Sequence, residues 1–264
     1  MARILVTGGT GTLGSLVVPA LQRAGQEVRV LSRRAWEHTA GDGVSFAVGD
    51  LATGAGVAVA VGGVDVILHL AGTNKGDQHT TANLVRAAAE AGSPHLVYIS
   101  VVGADRVPVR SRLDRATMGY LADKRAAELV VESSGLPWTT LRATQFHEFA
   151  LKFAEVMSAM PVVPVPSGWK LQPIAAAEVA ARLVELTLAE PAGFVPDVAG
   201  PEIYSLREIV HSYLEAAGKR RPTIPVRVPG QAARVYAGGA NLAPDRAVGK
   251  QTWPEFLAAR FPRA

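Results

Sequence analysis

Arg3-Ile4-Leu5-Val6-Thr7-Gly8-Gly9-Thr10-Gly11-Thr12-Leu13-Gly14 is the stretch that decides the fold. Ile4, Leu5 and Val6 run together without polar interruption, the pattern of a strand buried on both faces. Leu16, Val17, Ala20 and Leu21 then recur at helical spacing, and Gly25 stops the helix. Strand, glycine turn and helix in that order are the setting in which a glycine fingerprint marks a dinucleotide site. Gly8 permits the tight turn, Gly11 has no side chain to block a pyrophosphate, and Gly14 lets the helix lie close to the sheet. Thr10, Thr12 and Leu13 complete a loop whose free amides, at the helix start, face the phosphates.

The rest of the chain bounds the reading. With 264 residues, 48% of them hydrophobic, it can bury a full core as one large domain or as a main domain with a small lobe. The net charge of +4 is scattered apart from short groups such as Ser32-Arg33-Arg34 and Lys219-Arg220-Arg221. That distribution argues against a nucleic-acid surface and suits a phosphorylated small molecule. The lack of cysteine excludes disulfides, thiolate metal sites and cysteine nucleophiles. No histidines stand at ligand spacing, so no metal is implied. No apolar run reaches membrane-spanning length and the chain opens directly on a charged strand, so a soluble cytoplasmic protein is expected.

Glu27 to Leu31 reads as the second strand, and Ser32-Arg33-Arg34 follows where such a sheet meets the adenosine ribose. An acidic residue there would bond both ribose hydroxyls and repel a 2'-phosphate. A hydroxyl and two guanidiniums instead favour NADP(H) over NAD(H). Val44 to Val48 is a third strand. After it, Asp50 is placed to accept from an adenine amine or to cap a helix, with Leu51 against the ring. Gly54 to Gly62 reads as helical. Val64 to Leu70 is the fourth strand, with His69 a packed histidine. The backbone of Ala71, Gly72 and Thr73 beyond it would line the cofactor ribose. Asp77 to Ala91 reads as a helix in which Asn83 can brace the neighbouring loop.

Pro94 to Ser100 is the fifth strand, whose carboxyl end belongs beside the nicotinamide. A long helix from Ala116 to Ser134 follows, with Asp114 a candidate cap, and then a sixth strand from Pro137 to Leu141. Met157 to Lys170, with prolines and Gly168 among valines, reads as an irregular substrate-side loop. Further helices are expected over Ala175 to Ala189, from Ser205 (with Glu208 in capping-box position) through Ala216, and around Ala232. Trp253 to Phe261 is expected to dock on the body. The alternation of strands and helices gives an α/β fold: a Rossmann-type doubly wound parallel sheet with a small C-terminal substrate lobe. The boundary is expected near residue 150. Residues 1–150 form the NAD(P)-binding domain, and 151–264 supply the lobe and return elements to the main domain.

Tyr120 and Lys124 stand four apart on the long helix and so share one face. A free tyrosine, with a pKa of about 10, is a poor proton donor at neutral pH. A nearby ammonium stabilises its phenolate, and tyrosine can then deliver a proton to a carbonyl as hydride arrives. The same lysine can hold the nicotinamide ribose hydroxyls.

The run TGGTGTLG, the loop HLAGTNKGD, the runs YISVVGADRVP and YLADKRAAELV, and the segment LPWTTLRATQFHEF together resemble the atypical short-chain dehydrogenase/reductases. The nearest group is the NmrA-like, NAD(P)H-binding branch. The likeness extends over nearly the whole chain, including QPI at 172–174, GPE at 200–202 and NLAP at 241–244. The resemblance implies pyrophosphate at Gly8, Gly11 and Gly14, a 2'-phosphate at Arg33 and Arg34, and Tyr120 with Lys124 as the catalytic pair. It also exposes a departure. In two-lobed relatives the fifth strand ends in two hydroxyl residues, the second of them catalytic, and here the pair is Ser100-Val101. Ser100 is the remaining candidate, with strand alternation deciding where it points. Thr144, Gln145 and His147 are alternative donors.

Three functions are compatible. The first is an NADP-dependent reductase of a small, apolar carbonyl or quinone-like substrate, with Gln145, Phe146, His147 and Trp169 in the substrate pocket and Phe149, Phe153, Met157 and Met160 as further walls or core contacts. The second is an NADP(H)-binding redox-sensing regulator without turnover. The third is a nucleotide-sugar epimerase, which needs a polar pocket that 150–170 does not offer. Monomer and homodimer are both open. If Arg33 and Arg34 clamp a 2'-phosphate, changing both to Ala weakens NADPH binding by about 2 kcal/mol, roughly thirtyfold, and leaves NADH nearly unchanged. Fluorescence titration with the two cofactors checks this, and equal losses refute the clamp.

Overall fold

In this computed structural model the described residues are 1–34, 43–72 and 76–262. They form two compact units interleaved along the chain. The first takes Met1–Ser100, Asp123–Leu141 and Ala177–Val195; the second takes Val101–Ala122, Arg142–Ala176 and the chain from Pro196 onward. The chain beyond residue 150 returns a helix and a short strand to the first unit, and the second unit also takes residues 101–122 and 142–149 from before that point.

The sheet begins with β1 (Arg3–Thr7), β2 (Glu27–Ser32), β3 (Val44–Val48) and β4 (Val66–His69). It continues with β5 (His95–Val101), β6 (Trp138–Ala143) and the short β9 (Gly193–Phe194), in the order β3-β2-β1-β4-β5-β6-β9. The order reverses between β1 and β4, the topological switch point at which open α/β sheets bind ligands. In register, Thr7 pairs with Leu31 on one side and His69 on the other, Ser32 pairs with Val48, and His69 pairs with Tyr98. The carboxyl ends of these five strands therefore form one edge.

The helices of this unit are α1 (Gly14–Arg23), α2 (Val57–Val61), α3 (Asp77–Glu90), the later part of α4 (Arg112–Glu132) and most of α6 (Ala176–Thr187). Leu5, Ile67 and Leu96 of the strands pack with Val57, Leu84, Ala127 and Val131 of the helices in one core. Each such large side chain contributes about 1.5–3 kcal/mol on burial.

The second unit departs most from the sequence expectation. Residues 157–170 are not an irregular loop. They hold β7 (Val163–Pro166), parallel to β11 (Thr223–Val226), and β8 (Lys170–Leu171), antiparallel to β10 (Tyr204–Ser205). Proline masked the signal. Along β7, Val163 and Val165 are buried and Pro164 and Pro166 half-buried. Val163 and Ser167 donate their amides to Pro222 and Val226 on the partner side. Alternate residues of a parallel strand direct their amides away from a given neighbour, so prolines at 164 and 166 remove donors that this ladder does not use. Helix α5 (His147–Met157), unexpected from sequence, starts behind Phe146 with no side-chain cap.

Helices α7 (Leu206–Ala216), α8 (Gln231–Ala237) and α9 (Trp253–Arg260) complete this unit. Ser205 and Glu208 form the expected capping box on α7. The tail docks as expected: Trp253 is buried and its indole donates to Ser212 Oγ at 2.8 Å. Leu151, Ile209, Tyr213, Trp253 and Leu257 share a core with Met118 and Leu121. Among the described residues no helix is long and apolar enough to cross a membrane.

Helix α4 begins four residues earlier than expected, and Asp114 is not its cap. Ser111 caps it, and Asp114 returns the bond from the third helical position. Ser111 Oγ accepts from the Asp114 amide at 3.0 Å, and Asp114 Oδ2 accepts from the Ser111 amide at 3.0 Å. Asp114 Oδ1 also accepts from the Ala232 amide, the start of α8, at 3.0 Å. Gly230 makes room for this: a Cβ there would lie 2.8 Å from Asp114 Oδ1, on backbone at φ +116°. These donors hold the Asp114 carboxyl down to about 2. A folded-state pKa below the unfolded value makes the contribution complete above the ordinary carboxylate range, with loss as pH falls toward 2. Asp114→Asn is thus expected to lower the melting temperature at pH 7, with the deficit shrinking between pH 5 and pH 2. Thermal unfolding followed by circular dichroism across that range measures it.

Candidate functional site

The glycine loop occupies the centre of the carboxyl edge. Gly8, at φ +70°, lies where a Cβ would be 2.7 Å from the Ala71 amide nitrogen, so the loop after β1 touches the loop after β4. A Cβ on Gly14 would meet the Gly8 carbonyl oxygen at 2.3 Å, and one on Gly11 the same oxygen at 3.3 Å. Only glycine fits at 8 and 14. The Ser15 amide donates to Gly11 O at 2.9 Å, so the amides of Thr12, Leu13 and Gly14 lie ahead of that helical donor, at the positive end of the α1 dipole. Thr10, Gly11 and Thr12 are exposed, while Leu13 and Gly14 are buried. An exposed backbone cradle closed to side chains, at a helix start, fits a pyrophosphate.

Beside it, Ser32 ends β2 half-buried and its hydroxyl accepts from the Arg34 amide at 3.3 Å. Arg33 and Arg34 are exposed. Asp50 Oδ1 accepts from the Ala52 amide at 2.9 Å, which shapes the loop after β3. Helix α2 starts behind Gly56, so Asp50 does not cap it. Leu51 is buried, and Asn83 braces its carbonyl with a bond of 2.8 Å from Nδ2. Ala71 is half-buried and Gly72 exposed; Thr73 lies outside the described residues.

Beyond the switch point, the period of a strand meets the period of a helix. Tyr98 and Ser100, two apart on β5, face α4 at Lys124 and Glu128, four apart. Lys124 Nζ donates to Tyr98 Oη at 3.5 Å, lies 5.3 Å from the ring centroid and pairs with Asp77 Oδ2 at 3.0 Å. Lys124 is 5% and Asp77 2% exposed. A Cβ on Gly72 would stand 3.2 Å from that ammonium nitrogen, so Lys124 reaches the loop after β4. Asp77 and Tyr98 were not foreseen. Asp77 reads from sequence only as a helix start, and Tyr98 only as part of an apolar strand.

His69 stacks on Tyr98 with ring centroids 5.4 Å apart. Its ring nitrogens meet Thr7 Oγ1 at 2.7 Å and Thr81 Oγ1 at 3.1 Å. Burial first, then the Lys124 charge, pushes it down to about 3, so it stays neutral and packed.

Ser100 is buried, and its hydroxyl donates to Glu128 Oε1 at 2.6 Å. Glu128 pairs in turn with Arg125 at 2.9 Å. Strand alternation directs this hydroxyl into the helix contact.

The remaining candidates belong to the second unit. Tyr120 is 40% exposed on α4, two residues after Met118, whose φ of −130° and ψ of 18° interrupt the helix. Gln145 Oε1 accepts from the Gln172 amide at 3.5 Å, and Phe146 precedes α5. His147 is buried, stacks on Phe256 at 5.0 Å and donates from Nε2 to the Gln251 carbonyl at 3.1 Å, the arrangement of a core histidine. Trp169 leans on Tyr236 at 4.9 Å and forms one wall of a cleft of about 360 Å³ with Val165, Pro166, Arg207 and Ile224.

Comparison with known proteins gives a family match and a fold match. Residues 8–189 match the family described as NAD(P)H-binding. The chain is 31% identical over 210 residues to the (4-alkanoyl-5-oxo-2,5-dihydrofuran-3-yl)methyl phosphate reductase of Streptomyces griseus, covering 78% of this chain and 70% of the relative. It is 32% identical over 222 residues to the NAD(P)H azoreductase of Xenophilus azovorans, covering 82% and 74%. Its fold matches that of an NADPH-dependent quinone oxidoreductase of Escherichia coli, solved with NADPH, at a TM-score of 0.80 and 19% identity over 98% of this chain and 99% of that one. The expected likeness to the atypical short-chain dehydrogenase/reductases is borne out, and the chain belongs to the NAD(P)H-binding family.

Proposed function

We propose that this protein is an NADPH-dependent oxidoreductase that reduces a small apolar carbonyl or quinone-like compound. The observation that carries the reading is a lysine ammonium, Lys124, held at the Gly72 loop on the same strand edge as the glycine cradle. The named relatives favour a conjugated, electron-poor acceptor: by name they include a reductase of an alkanoyl-furanone phosphate and an azoreductase.

When bound, the cofactor supplies the hydride. Gly8, Gly11, Gly14 and the intervening amides hold its pyrophosphate. Arg33 and Arg34 answer a 2'-phosphate, which is why NADPH is favoured over NADH. Leu51 packs against the adenine, and Ala71 with Gly72 lines the ribose that Lys124 holds. Tyr120 donates its phenolic proton to the acceptor oxygen, and its exposure lets solvent restore that proton. Ser100 has no part in this, because its hydroxyl donates to Glu128.

One observation favours a second reading, a cofactor-binding regulator without turnover: both Ser100 and Lys124 are matched by internal carboxylates. NADPH fluorescence separates the two. Binding followed by oxidation that depends on a quinone, aldehyde or azo compound supports the reductase, and tight binding without oxidation across a broad panel supports the regulator. For the reductase, Tyr120→Phe is expected to lower kcat by about 10²–10⁴ and to leave NADPH affinity unchanged. A fully active variant removes Tyr120 from the chemistry.

A further inference from the structure

We infer that Asp77 is the positioning residue of Lys124, fixing the ammonium at the Gly72 loop for its grip on the cofactor; this rests on the cofactor role proposed for Lys124. A lysine side chain is a point charge on a flexible four-carbon stem, so a defined position has to be imposed on it. Three observations show how that is done. Asp77 Oδ2 stands 3.0 Å from Lys124 Nζ, with both side chains buried. The neighbouring residues make a second tie between the same two helices: the Gly76 amide donates to Asp123 Oδ2 at 3.2 Å. Asp77 opens α3, where the helix dipole favours a carboxylate.

Gly72 completes the arrangement. A Cβ there would lie 3.2 Å from Nζ and 3.4 Å from Asp77 Oδ2, so the loop passes directly over the pair. The groups facing the ammonium include Asp77 from α3, the Tyr98 hydroxyl from β5 and neutral His69 from β4. Asp77 is thus expected to act through Lys124, without touching the cofactor itself.

A double-mutant cycle on the full-length protein tests this, read as NADPH dissociation constants with melting temperatures recorded alongside. Lys124→Met and Asp77→Asn are each expected to weaken NADPH binding about tenfold, while the double variant binds within about twofold of Lys124→Met. Asp77→Glu keeps the charge and moves it by one methylene, so it stays measurable if Asp77→Asn does not fold. It is expected to shift affinity several-fold in the native background and not at all in the Lys124→Met background. A purely structural pair would lower melting temperature and leave affinity uncoupled. Additive affinity losses with an impaired Lys124→Met variant therefore overturn the positioning role alone. Native affinity in Lys124→Met overturns both that role and the cofactor role of Lys124.

Discussion

The closeness of α1 to the end of β1 governs the first unit. A single methyl group at residue 14 would stand 2.3 Å from the Gly8 carbonyl oxygen, closer than any real Cβ contact. With glycine there, the helix follows the strand after a six-residue loop. Its first amides then point over the sheet edge, and Gly8 touches the loop after β4. Parallel register carries the same edge outward to Ser32 and Val48 on one side and to His69 and Tyr98 on the other. A glycine loop at a helix start, a basic corner and a lysine thus share one rim without any of them being close in sequence.

The lysine end of that rim is set by charge. Burying an ammonium and a carboxylate is tolerated when they meet at hydrogen-bond distance. Removing one partner of such a pair leaves a penalty of about 3–5 kcal/mol. The Lys124–Asp77 pair ties α3 to α4, and one turn further along α4 Glu128 takes the Ser100 hydroxyl of β5. Two strand residues of period two and two helix residues four apart are matched in one contact. That match explains why the Ser100 hydroxyl faces inward.

Much of the fold was legible because apolar runs, glycines and caps act locally. The order of strands and helices through Leu141 follows the sequence reading, as do the Ser205 capping box and the docking of Trp253. Two local signals misled and one was missing. Prolines at 164 and 166 suggested a loop, whereas only their alternation with buried valines marks a strand. Asp114 suggested a cap, whereas Ser111 holds that position and Asp114 answers it. Helix α5 has no side-chain cap to announce it.

For the site, the sequence by itself determined the glycine cradle, the arginines after β2 and the presence of Lys124 on a helix. Each depends on residues adjacent in the chain or one helical turn apart. What only the tertiary structure decided is which partner each buried polar group meets. Asp77 and Lys124 are far apart in sequence, and so are Tyr98 and Lys124. Their encounter depends on the register of β4 with β5 and on how α3 and α4 lie against them. The same register turned Ser100 toward Glu128 and stacked His69 on Tyr98. Pairings between distant charges carry no local signal, because burial makes them compulsory only after the sheet has brought the groups together.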